Sequence, residues 1–293
     1  MKTALVTGSE GFAGRHYCQA LEEDGWDVDR CDLSLGRGSD ASTLFRYGMR
    51  SYDLVIHCAA IVGGRAVIDG APLALASNLE LDAGLFQWAL RTQPGHVVYV
   101  SSSAAYPVSL QQLEFRQSLT EGDIDLDSFS VGMPDQLYGW AKLTGEVLAR
   151  RAQQEGLAVS VIRPFSGYGE DQDESYPFRA FAERVKRCDD PFEIWGDPLQ
   201  CRDFIHINDI VAATLLMVKE RIDGPVNLGT GIATSMIDLA AAFCRDAAGY
   251  LPRVDVIRGA PMGVGYRVAD VSYLRSFYEP KITLEEGIRR ALG

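Results

Sequence analysis

Short apolar runs alternate with amphipathic segments along the first half of the chain. The apolar runs predict buried strands at residues 3–7, 52–60, 96–100 and 159–164, with a more polar strand at 26–32. Between these runs, helical periodicity predicts helices at residues 15–23, 78–91 and 137–148. Residues 33–51 show no obvious third strand and predict a loop with a short helix. The alternation of strand and helix predicts an α/β fold, a doubly wound parallel sheet covered by helices on both faces.

The pattern changes after Pro164, where glycine, tyrosine, proline and charged residues become frequent. Periodicity there predicts helices at residues 176–188, 236–248 and 284–292, a strand followed by a helix over 204–219, and a strand at 225–229. We therefore predict a larger domain of residues 1–165, to which residues 202–229 return, and a smaller domain of residues 166–293. The sequence contains neither an internal repeat nor a low-complexity linker, so we expect the smaller domain to pack against the sheet.

Composition narrows the class of protein. The 293 residues are 47% hydrophobic and 23% charged, which is typical of a globular chain with a sizeable core. A net charge of −12 disfavours binding to nucleic acid or to an anionic membrane. With no signal peptide and no apolar run that would span a bilayer, we expect a cytoplasmic protein. The six cysteines are scattered and form no CxxC pair, which predicts reduced thiols and no metal site.

Three glycines separate the first strand from the first helix. Gly8, Gly11 and Gly14 follow the spacing Gly-x-x-Gly-x-x-Gly, with Glu10 and Phe12 between them. Glycine allows positive φ and a close approach of backbone to ligand, and the first helical turn offers N–H groups and a positive dipole end to a pyrophosphate. This loop is a candidate dinucleotide site, although three glycines in a turn are a weak signal on their own.

An acid at the end of the second strand indicates which dinucleotide is bound. Asp32 follows the glycine loop at about the distance, roughly 20 residues, that a dinucleotide-binding fold requires. Its carboxylate can accept hydrogen bonds from both ribose hydroxyls of an adenosine, and it would repel a 2′-phosphate. Glu10 adds a second negative charge nearby. Both residues favour NAD over NADP.

Small and polar residues stand at the ends of two later strands. Ala59 and Ala60 would let a flat cofactor lie across the backbone, while His57, inside the apolar run, is interpreted as a core histidine. Residues 101–103, all serine, end the next strand. The carboxyl ends of parallel strands share one edge of the sheet, where ligands bind. We therefore expect these residues to face the same crevice as the glycine loop.

The chemistry is carried by a Tyr-x-x-x-Lys sequence on the helix at 137–148. Tyr138 and Lys142 are four residues apart and share one helical face. A phenol is a poor base at neutral pH, but a neighbouring ammonium and a cationic nicotinamide ring favour the phenolate. A serine hydroxyl bonded to the reacting oxygen would hold a sugar carbinol in line. This constellation predicts hydride transfer coupled to proton transfer.

Taken in order, these motifs resemble the extended short-chain dehydrogenase/reductase family, in its nucleotide-sugar epimerase/dehydratase branch. The resemblance covers nearly the whole chain and rests on the glycine loop, Asp32 and residues 57–60, 101–106, 138–142, 163–165, 202–209, 227–231, 267–270 and 284–288. It implies a Rossmann-type NAD-binding domain over residues 1–165, with 202–229. It also implies that residues 166–293 form a C-terminal cap, which binds a nucleotide-diphosphate sugar.

The resemblance implies roles for single residues. The catalytic set is Tyr138, Lys142 and a serine, for which the spacing to Tyr106 in relatives favours Ser102 and leaves Ser103 as the alternative. The implied cofactor contacts are Gly8, Glu10, Gly11, Phe12, Gly14, Asp32, Ala59, Ala60, Asn78, Tyr138, Lys142 and Pro164. The implied substrate contacts are Ser103, Tyr168, Arg202 and Arg267.

Arginines are implied to bind the diphosphate of the substrate. In relatives, the arginine before an Asp-Phe/Tyr-Ile-His run has this role, and Arg202 stands at that position. Arg267 is the second candidate, and Arg258 is its rival. The helices 78–91 and 138–152 resemble those that pair across a two-fold axis in the family, so a homodimer is expected.

Departures from the family pattern narrow the reaction. The 4,6-dehydratases carry Asp-Glu after the catalytic hydroxyl, where this chain has Ser103 and Ala104. The 3,5-epimerases use a cysteine where Ala104 stands. The remaining groups suffice for C4 epimerisation through a transient 4-keto sugar, which is our prediction. The alternatives are a 4-ketoreductase, a 5,6-dehydratase or decarboxylase, and a non-catalytic dinucleotide-binding protein, which is disfavoured because the chain keeps both Tyr138 and Lys142.

Overall fold

Strands form the centre of the molecule and the smaller sheets beside it. The computed structural model describes residues 1–36, 39–62, 73–128, 130–257, 259 and 263–293. Its strands are β1 (Thr3–Thr7), β2 (Asp27–Cys31), β3 (Leu54–His57), β4 (Val97–Val100), β5 (Val159–Pro164), β6 (Ser166–Tyr168), β7 (Phe192–Trp195), β8 (Cys201–Arg202), β9 (Phe204–His206), β10 (Val226–Leu228), β11 (Thr234–Ser235), β12 (Val254–Ile257) and β13 (Tyr266–Arg267).

The central sheet of the described chain is parallel throughout. Its strand order is β10-β5-β4-β3-β1-β2, so β10 returns from the second half of the chain to pair with β5. Within the described ranges no strand pairs with the outer edge of β2. Smaller sheets follow the orders β11-β8-β13, β12-β7 and β6-β9. The predicted α/β class with a parallel sheet is confirmed, whereas the division into two domains stays a prediction.

Helices cover both faces of the central sheet. The helices of the described residues, which include those of the smaller sheets, are α1 (Phe12–Glu23), α2 (Ala41–Tyr47), α3 (Ala74–Thr92), α4 (Gln136–Gln154), α5 (Pro177–Lys186), α6 (Ile207–Glu220), α7 (Met236–Ala241), α8 (Ser272–Arg275) and α9 (Leu284–Leu292). None of those in the described ranges combines the length and apolar character that a bilayer crossing requires.

Alternate side chains of the strands pack into two separate cores, one on each face of the sheet, as expected for strands buried on both faces. Val6 and its neighbours pack against α1 and α6, where Leu21 and Ile210 are buried. On the other face, Leu5 and its neighbours pack against α2, α3 and α4. A third core, which includes Phe178 and further aromatic residues, lies between α5, α7, α9 and β7.

Buried carboxylates tie the second half of the chain to the sheet. Asp203, before β9, accepts hydrogen bonds from the backbone N–H groups of Thr230, Gly231 and Ala269 at 2.7, 2.9 and 3.1 Å. Asp209 of α6 accepts from the Tyr278 hydroxyl at 2.6 Å and from two backbone N–H groups of the segment before α9. Each carboxylate thus satisfies donors of loops that are distant in sequence.

A buried ion pair fixes α4 against β5. Arg163 of β5 is fully buried and donates to both carboxylate oxygens of Glu146, at 3.0 and 2.6 Å. The Ser101 hydroxyl donates to Glu146 at 2.5 Å. Arg163 also donates to the Tyr106 hydroxyl at 2.9 Å, and that hydroxyl donates to Asn227 of β10 at 2.7 Å. This network joins the ends of β4, β5 and β10 to one face of α4.

We expect Glu146→Gln to lower the free energy of unfolding by about 3–5 kcal/mol, because it leaves the buried Arg163 charge without a counter-charge. Glu155→Gln is the matched control, since Glu155 pairs with Arg151 at the exposed end of the same helix. It should cost less than about 1 kcal/mol. Urea denaturation of both variants measures the difference. Equal losses would contradict the role given to the Arg163 pair.

Candidate active site

The glycine loop is packed too tightly for any side chain at two of its positions. Gly8 has φ of +68°, and a Cβ there would lie 2.8 Å from the backbone nitrogen of Ala59. A Cβ on Gly14 would lie 2.0 Å from the carbonyl oxygen of Gly8. The loop therefore brings the start of α1 against the ends of β1 and β3. Helix α1 begins at Phe12, so its first-turn N–H groups face the crevice where a pyrophosphate would bind.

Asp32 and Glu10 lie side by side at the ribose end of the crevice. The Glu10 backbone N–H points at Asp32 Oδ2, 3.3 Å away, and the other oxygen of Asp32 accepts from the Ser34 N–H and hydroxyl at 2.9 and 2.8 Å. The Glu10 carboxylate lies 3.6 Å from Arg30, on the outer side of the loop. Asp32 thus lines the pocket. Glu10 contacts Asp32 through its backbone N–H, and its carboxylate adds a second negative charge nearby.

Asn78 supports the cofactor site from behind. It is 1% exposed, and its amide accepts from the Ile61 N–H at 2.7 Å and donates to the Ile61 carbonyl at 3.1 Å. The segment that it holds includes Ala59 and Ala60, which line the pocket. Both ends of the Asn78 amide thus contact the backbone of Ile61, and the predicted cofactor contact of Asn78 stays a prediction.

One pocket joins the residues predicted for cofactor and substrate. Its volume is about 1070 Å³, and it runs from the glycine loop past the end of β4 to the edge of the sheet formed by β8 and β13. The predicted site residues on its wall are Gly8, Gly11, Phe12, Gly14, Asp32, Ala59, Ala60, Ser102, Ser103, Tyr138, Lys142, Pro164, Arg202 and Arg267. A dinucleotide fits the donor groups and glycines at one end, and an anionic substrate fits the arginines at the other.

Tyr138 and Ser102, the predicted reactive pair, both lie on the wall of the pocket. The Ser102 oxygen accepts from the Ala104 N–H at 3.1 Å. Burial raises the pKa of Tyr138 well above its usual value, and the neighbouring Ser102 side chain opposes part of this rise. The structure therefore places Ser102 beside the phenol. Ser103 lies on the pocket wall and is 5% exposed.

Lys142 lies one helical turn after Tyr138 and is 2% exposed. Its Nζ donates to the Val100 carbonyl at the end of β4 at 2.9 Å, and it lies 5.9 Å from the centre of the Tyr138 ring. A cation at this distance from a phenol favours the phenolate electrostatically. The arrangement can supply a base whose proton-accepting oxygen faces the pocket.

Arg202 and Arg267 are neighbours although 65 positions separate them in the sequence. Strands β8 and β13 are parallel, and their register pairs Arg202 with Arg267 directly. Arg202 donates to the carbonyls of Cys201 and Val264 at 2.7 and 2.9 Å. The pair places two guanidinium groups on the pocket wall, which suits a diphosphate. Its predicted rival, Arg258, lies outside the described residues.

Arg267 also has two partners that the sequence did not reveal. Its Nε donates to Gln111 at 2.5 Å, and its Nη2 forms an ion pair with Asp135 at 2.7 Å. Asp135 precedes α4 by one residue and is itself on the pocket wall. In the sequence, only its position three residues before Tyr138 points to Asp135. The ion pair could not be predicted from that position, because its partner lies on β13, far away in sequence.

Tyr168 lies in the third core, together with Phe178. It is 1% exposed, packs with its ring centre 4.1 Å from that of Phe178, and donates to the Thr283 carbonyl at 3.3 Å. A Cβ on Gly287 would overlap its hydroxyl, which shows how closely α9 covers it. The predicted substrate contact of Tyr168 is corrected: the residue packs the core because its ring is enclosed by α5 and α9.

His57 is confirmed as a core histidine. It is fully buried, and both ring nitrogens have partners, Thr7 at 2.8 Å and Asp82 at 3.2 Å. Its partner Asp82, on α3, is 1% exposed and belongs to no sequence motif described above. Two further residues without such a motif, Arg184 and Trp195, line the far end of the pocket, where the Arg184 guanidinium lies 5.9 Å from the centre of the Trp195 ring.

Comparison with known proteins gives consistent matches. A sequence model of the NAD dependent epimerase/dehydratase family matches residues 4–229. The chain is 28% identical over 313 residues to the dTDP-4-dehydro-6-deoxy-D-allose reductase of Streptomyces bikiniensis, with 96% of this chain and 92% of that protein covered. It is 27% identical over 308 residues to GDP-mannose 3,5-epimerase 1 of Oryza sativa subsp. indica, with 97% and 79% covered. MoeE5, solved in complex with UDP-glucose and NAD, has a TM-score of 0.84 and 27% identity, with 99% and 97% covered.

Gly14→Ala should lower the affinity for NAD by about tenfold or more, because the added Cβ has to push the backbone of Gly8 away from the pyrophosphate site. Gly84→Ala on α3 is the control, since its Cβ would make an ordinary contact of 3.4 Å with Phe45. Calorimetric titration of NAD, with circular dichroism to check folding, measures both. A folded Gly14→Ala variant with wild-type affinity would show that the loop does not hold the pyrophosphate.

Proposed function

The chain belongs to the NAD-dependent epimerase/dehydratase family, and from this premise we propose that it is a nucleotide-sugar 4-epimerase. The observation that carries the proposal is the composition of the reactive centre. Ser102, Tyr138 and Lys142 meet in one pocket, and the next residues after Ser102 are Ser103 and Ala104. Neither a carboxylic acid to eliminate water nor a thiol to move a C3 or C5 proton stands there.

The cofactor is NAD, as the family and the complexes of its solved relatives show. When bound, NAD takes a hydride from C4 of the sugar and later returns it to the opposite face, so the net redox change is zero. The proposed contacts of this chain with NAD are the glycine loop, Asp32, Ala59, Ala60, Lys142 and Pro164.

Tyr138 is the proposed acid–base group. Its phenolate accepts the proton of the C4 hydroxyl as the C–H bond breaks, and its phenol gives the proton back when the hydride returns. Ser102 lies beside this phenol and would hold the same sugar oxygen in line. Lys142 stabilises the phenolate by its charge, and its bond to Val100 keeps it in place.

Arg202 and Arg267 are the proposed anchors of the substrate. Their paired register lets two guanidinium groups hold the diphosphate while the sugar turns between hydride removal and hydride return. Asp135 holds Arg267 in this structure, so the diphosphate would compete with that carboxylate for the guanidinium. Nucleotide-diphosphate sugars are therefore the proposed substrate class.

A 4-ketoreductase is the second candidate, favoured by the similarity to the Streptomyces bikiniensis reductase. The two functions differ in stoichiometry. The epimerase interconverts two sugar nucleotides without added NADH or NADPH, whereas a reductase consumes one reduced dinucleotide for each product formed. Incubating the NAD-loaded protein with a panel of nucleotide sugars, followed by separation of C4 epimers, tests the proposal. Product that forms only with stoichiometric oxidation of NAD(P)H would overturn it.

Tyr138→Phe should keep NAD bound and lower turnover by about a thousandfold, because it removes the proton acceptor and leaves the cofactor pocket intact. Ser102→Ala should lower turnover by about a hundredfold, and Ser103→Ala, one residue on, serves as its matched control. Steady-state kinetics on whichever sugar nucleotide is turned over compares the three. Full activity of Tyr138→Phe, or a larger loss from Ser103→Ala than from Ser102→Ala, would contradict the assignment.

We also propose a homodimer formed by α3 and α4. Apolar side chains are exposed on these helices, among them Leu90, Leu137, Trp140 and Val147, which are 39, 48, 38 and 36% exposed. Exposed apolar patches of this kind are typical of protein interfaces. Because Leu137, Trp140 and Val147 share one face of α4 by their spacing, a two-fold contact would bury this face against its own copy.

Light scattering should give a mass of twice the chain mass of 32.1 kDa. Trp140→Glu should shift the protein to monomers, because a carboxylate would be buried in the interface. Tyr273→Glu, on α8 and 44% exposed, is the control and should leave the dimer unchanged. A monomeric wild-type protein at micromolar concentration would rule out the proposed interface.

A further inference from the structure

Four polar side chains form a buried chain behind the reactive pair. Thr7 of β1 lies 2.8 Å from His57 Nδ1, and His57 Nε2 lies 3.2 Å from Asp82 Oδ1. The Tyr99 hydroxyl of β4 donates to Asp82 Oδ2 at 2.7 Å. Thr7, His57 and Tyr99 are 0% exposed, and Asp82 is 1% exposed. Buried polar groups of this kind have to satisfy one another.

The hydrogen-bond directions fix the charges in this chain. The Thr7 oxygen faces the Ala59 N–H at 3.4 Å, so its own hydrogen is free to point at His57 Nδ1. His57 then carries its proton on Nε2 and donates it to Asp82. Burial holds the pKa of His57 below its usual value, in agreement with a neutral ring. Asp82 is therefore the charged member of the chain.

The carboxylate of Asp82 packs directly against α4. Residue 145 of that helix is glycine, and a Cβ there would overlap the Tyr99 hydroxyl and lie 2.9 Å from Asp82 Oδ2. The two groups that donate to Asp82 are both neutral. Although burial alone would raise it, the pKa of Asp82 is lowered, chiefly by the charge of Lys142 and by the His57 hydrogen bond. Lys142 in turn lies 5.2 Å from the centre of the Tyr99 ring.

Other charged groups near the cluster are compensated or neutral. Glu146, one turn beyond Lys142, is ion-paired to Arg163. The titratable groups that face Asp82, Tyr99, Lys142 and Tyr138 from the surrounding elements are His57 and Cys58 at the end of β3, Glu146 on α4, and Tyr176 before α5. Among these groups of the described residues, Asp82 is therefore the carboxylate whose charge acts on Lys142.

We propose that Asp82 is a positioning residue, whose buried negative charge stabilises the Lys142 ammonium and opposes formation of the Tyr138 phenolate. The inference rests on the proposed role of Tyr138 as the base. The charge of Asp82 acts on Tyr138 through space, in the same direction as burial. The opposition keeps the phenol protonated until a second positive charge, besides that of Lys142, arrives beside it. The cationic nicotinamide ring of NAD supplies such a charge, so base formation is coupled to cofactor binding.

The direct test follows the ionisation of Tyr138 by NMR in NAD-loaded protein, with tyrosine isotopically labelled at Cζ. The resonance missing from Tyr138→Phe identifies Tyr138. In Asp82→Asn, which removes the charge and keeps a similar shape, Tyr138 should ionise about one pH unit lower than in the wild type. Tyr99→Phe is the control, since it removes a hydrogen bond and keeps the Asp82 charge. It should leave the ionisation at the wild-type pH or higher.

Unchanged or higher ionisation of Tyr138 in Asp82→Asn would overturn the inference, as would an equal downward shift in Tyr99→Phe. The measurement needs no substrate, so its outcome is independent of whether the protein is an epimerase. With a substrate in hand, the acidic limb of the pH profile of kcat/KM should move down by the same amount in Asp82→Asn. A lower kcat with an unmoved limb would indicate a purely structural role for Asp82.

Discussion

Burial of charge on one face of α4 is the constraint on which the site depends. Lys142 and Glu146 lie one turn apart on this face, and both are nearly inaccessible to water. A buried charge is tolerated only where fixed partners replace its hydration. Lys142 is held by the Val100 carbonyl, and Glu146 by Arg163 and Ser101. Because these partners lie at the ends of β4 and β5, α4 is fixed next to the edge of the sheet where Ser102 follows β4.

The same edge of the sheet orders the rest of the pocket. Parallel strands present their carboxyl ends together, so the glycine loop, Ala59 and Ser102 share one crevice. Two contacts join the second half of the chain to this crevice. Strand β10 pairs with β5, and Asp203 accepts hydrogen bonds from the loops at Thr230 and Ala269. Strand β13 then places Arg267 next to Arg202. The predicted reactive pair and the proposed anion-binding pair thereby lie on the wall of one pocket.

The sequence predicted those features that a short segment determines by itself. The glycine loop, Asp32 and the Tyr138–Lys142 spacing are local motifs, and the structure places each of them on the pocket wall. Strand and helix alternation likewise predicted the parallel sheet. The start of α1 was placed three residues late, since Phe12 begins the helix directly after Gly11.

Features that depend on distant parts of the chain escaped prediction or were misplaced. Tyr168 looks like a pocket residue until α9, more than a hundred residues later, is seen to cover it. Asn78 contacts Ile61, and Asp135 contacts Arg267, through packing that no local pattern encodes. The role of Asp82 depends on His57, Tyr99 and Lys142, which come from three different elements.

In the proposed reaction, one hydride leaves C4 and returns to the same carbon on the other face. A nucleotide sugar carrying deuterium at C4 tests this reaction, with catalytic amounts of NAD-loaded protein and no added reductant. We expect the epimer to form with deuterium still at C4, as measured by mass spectrometry and NMR. Loss of the label to solvent, or no epimer without stoichiometric NAD(P)H, would contradict it.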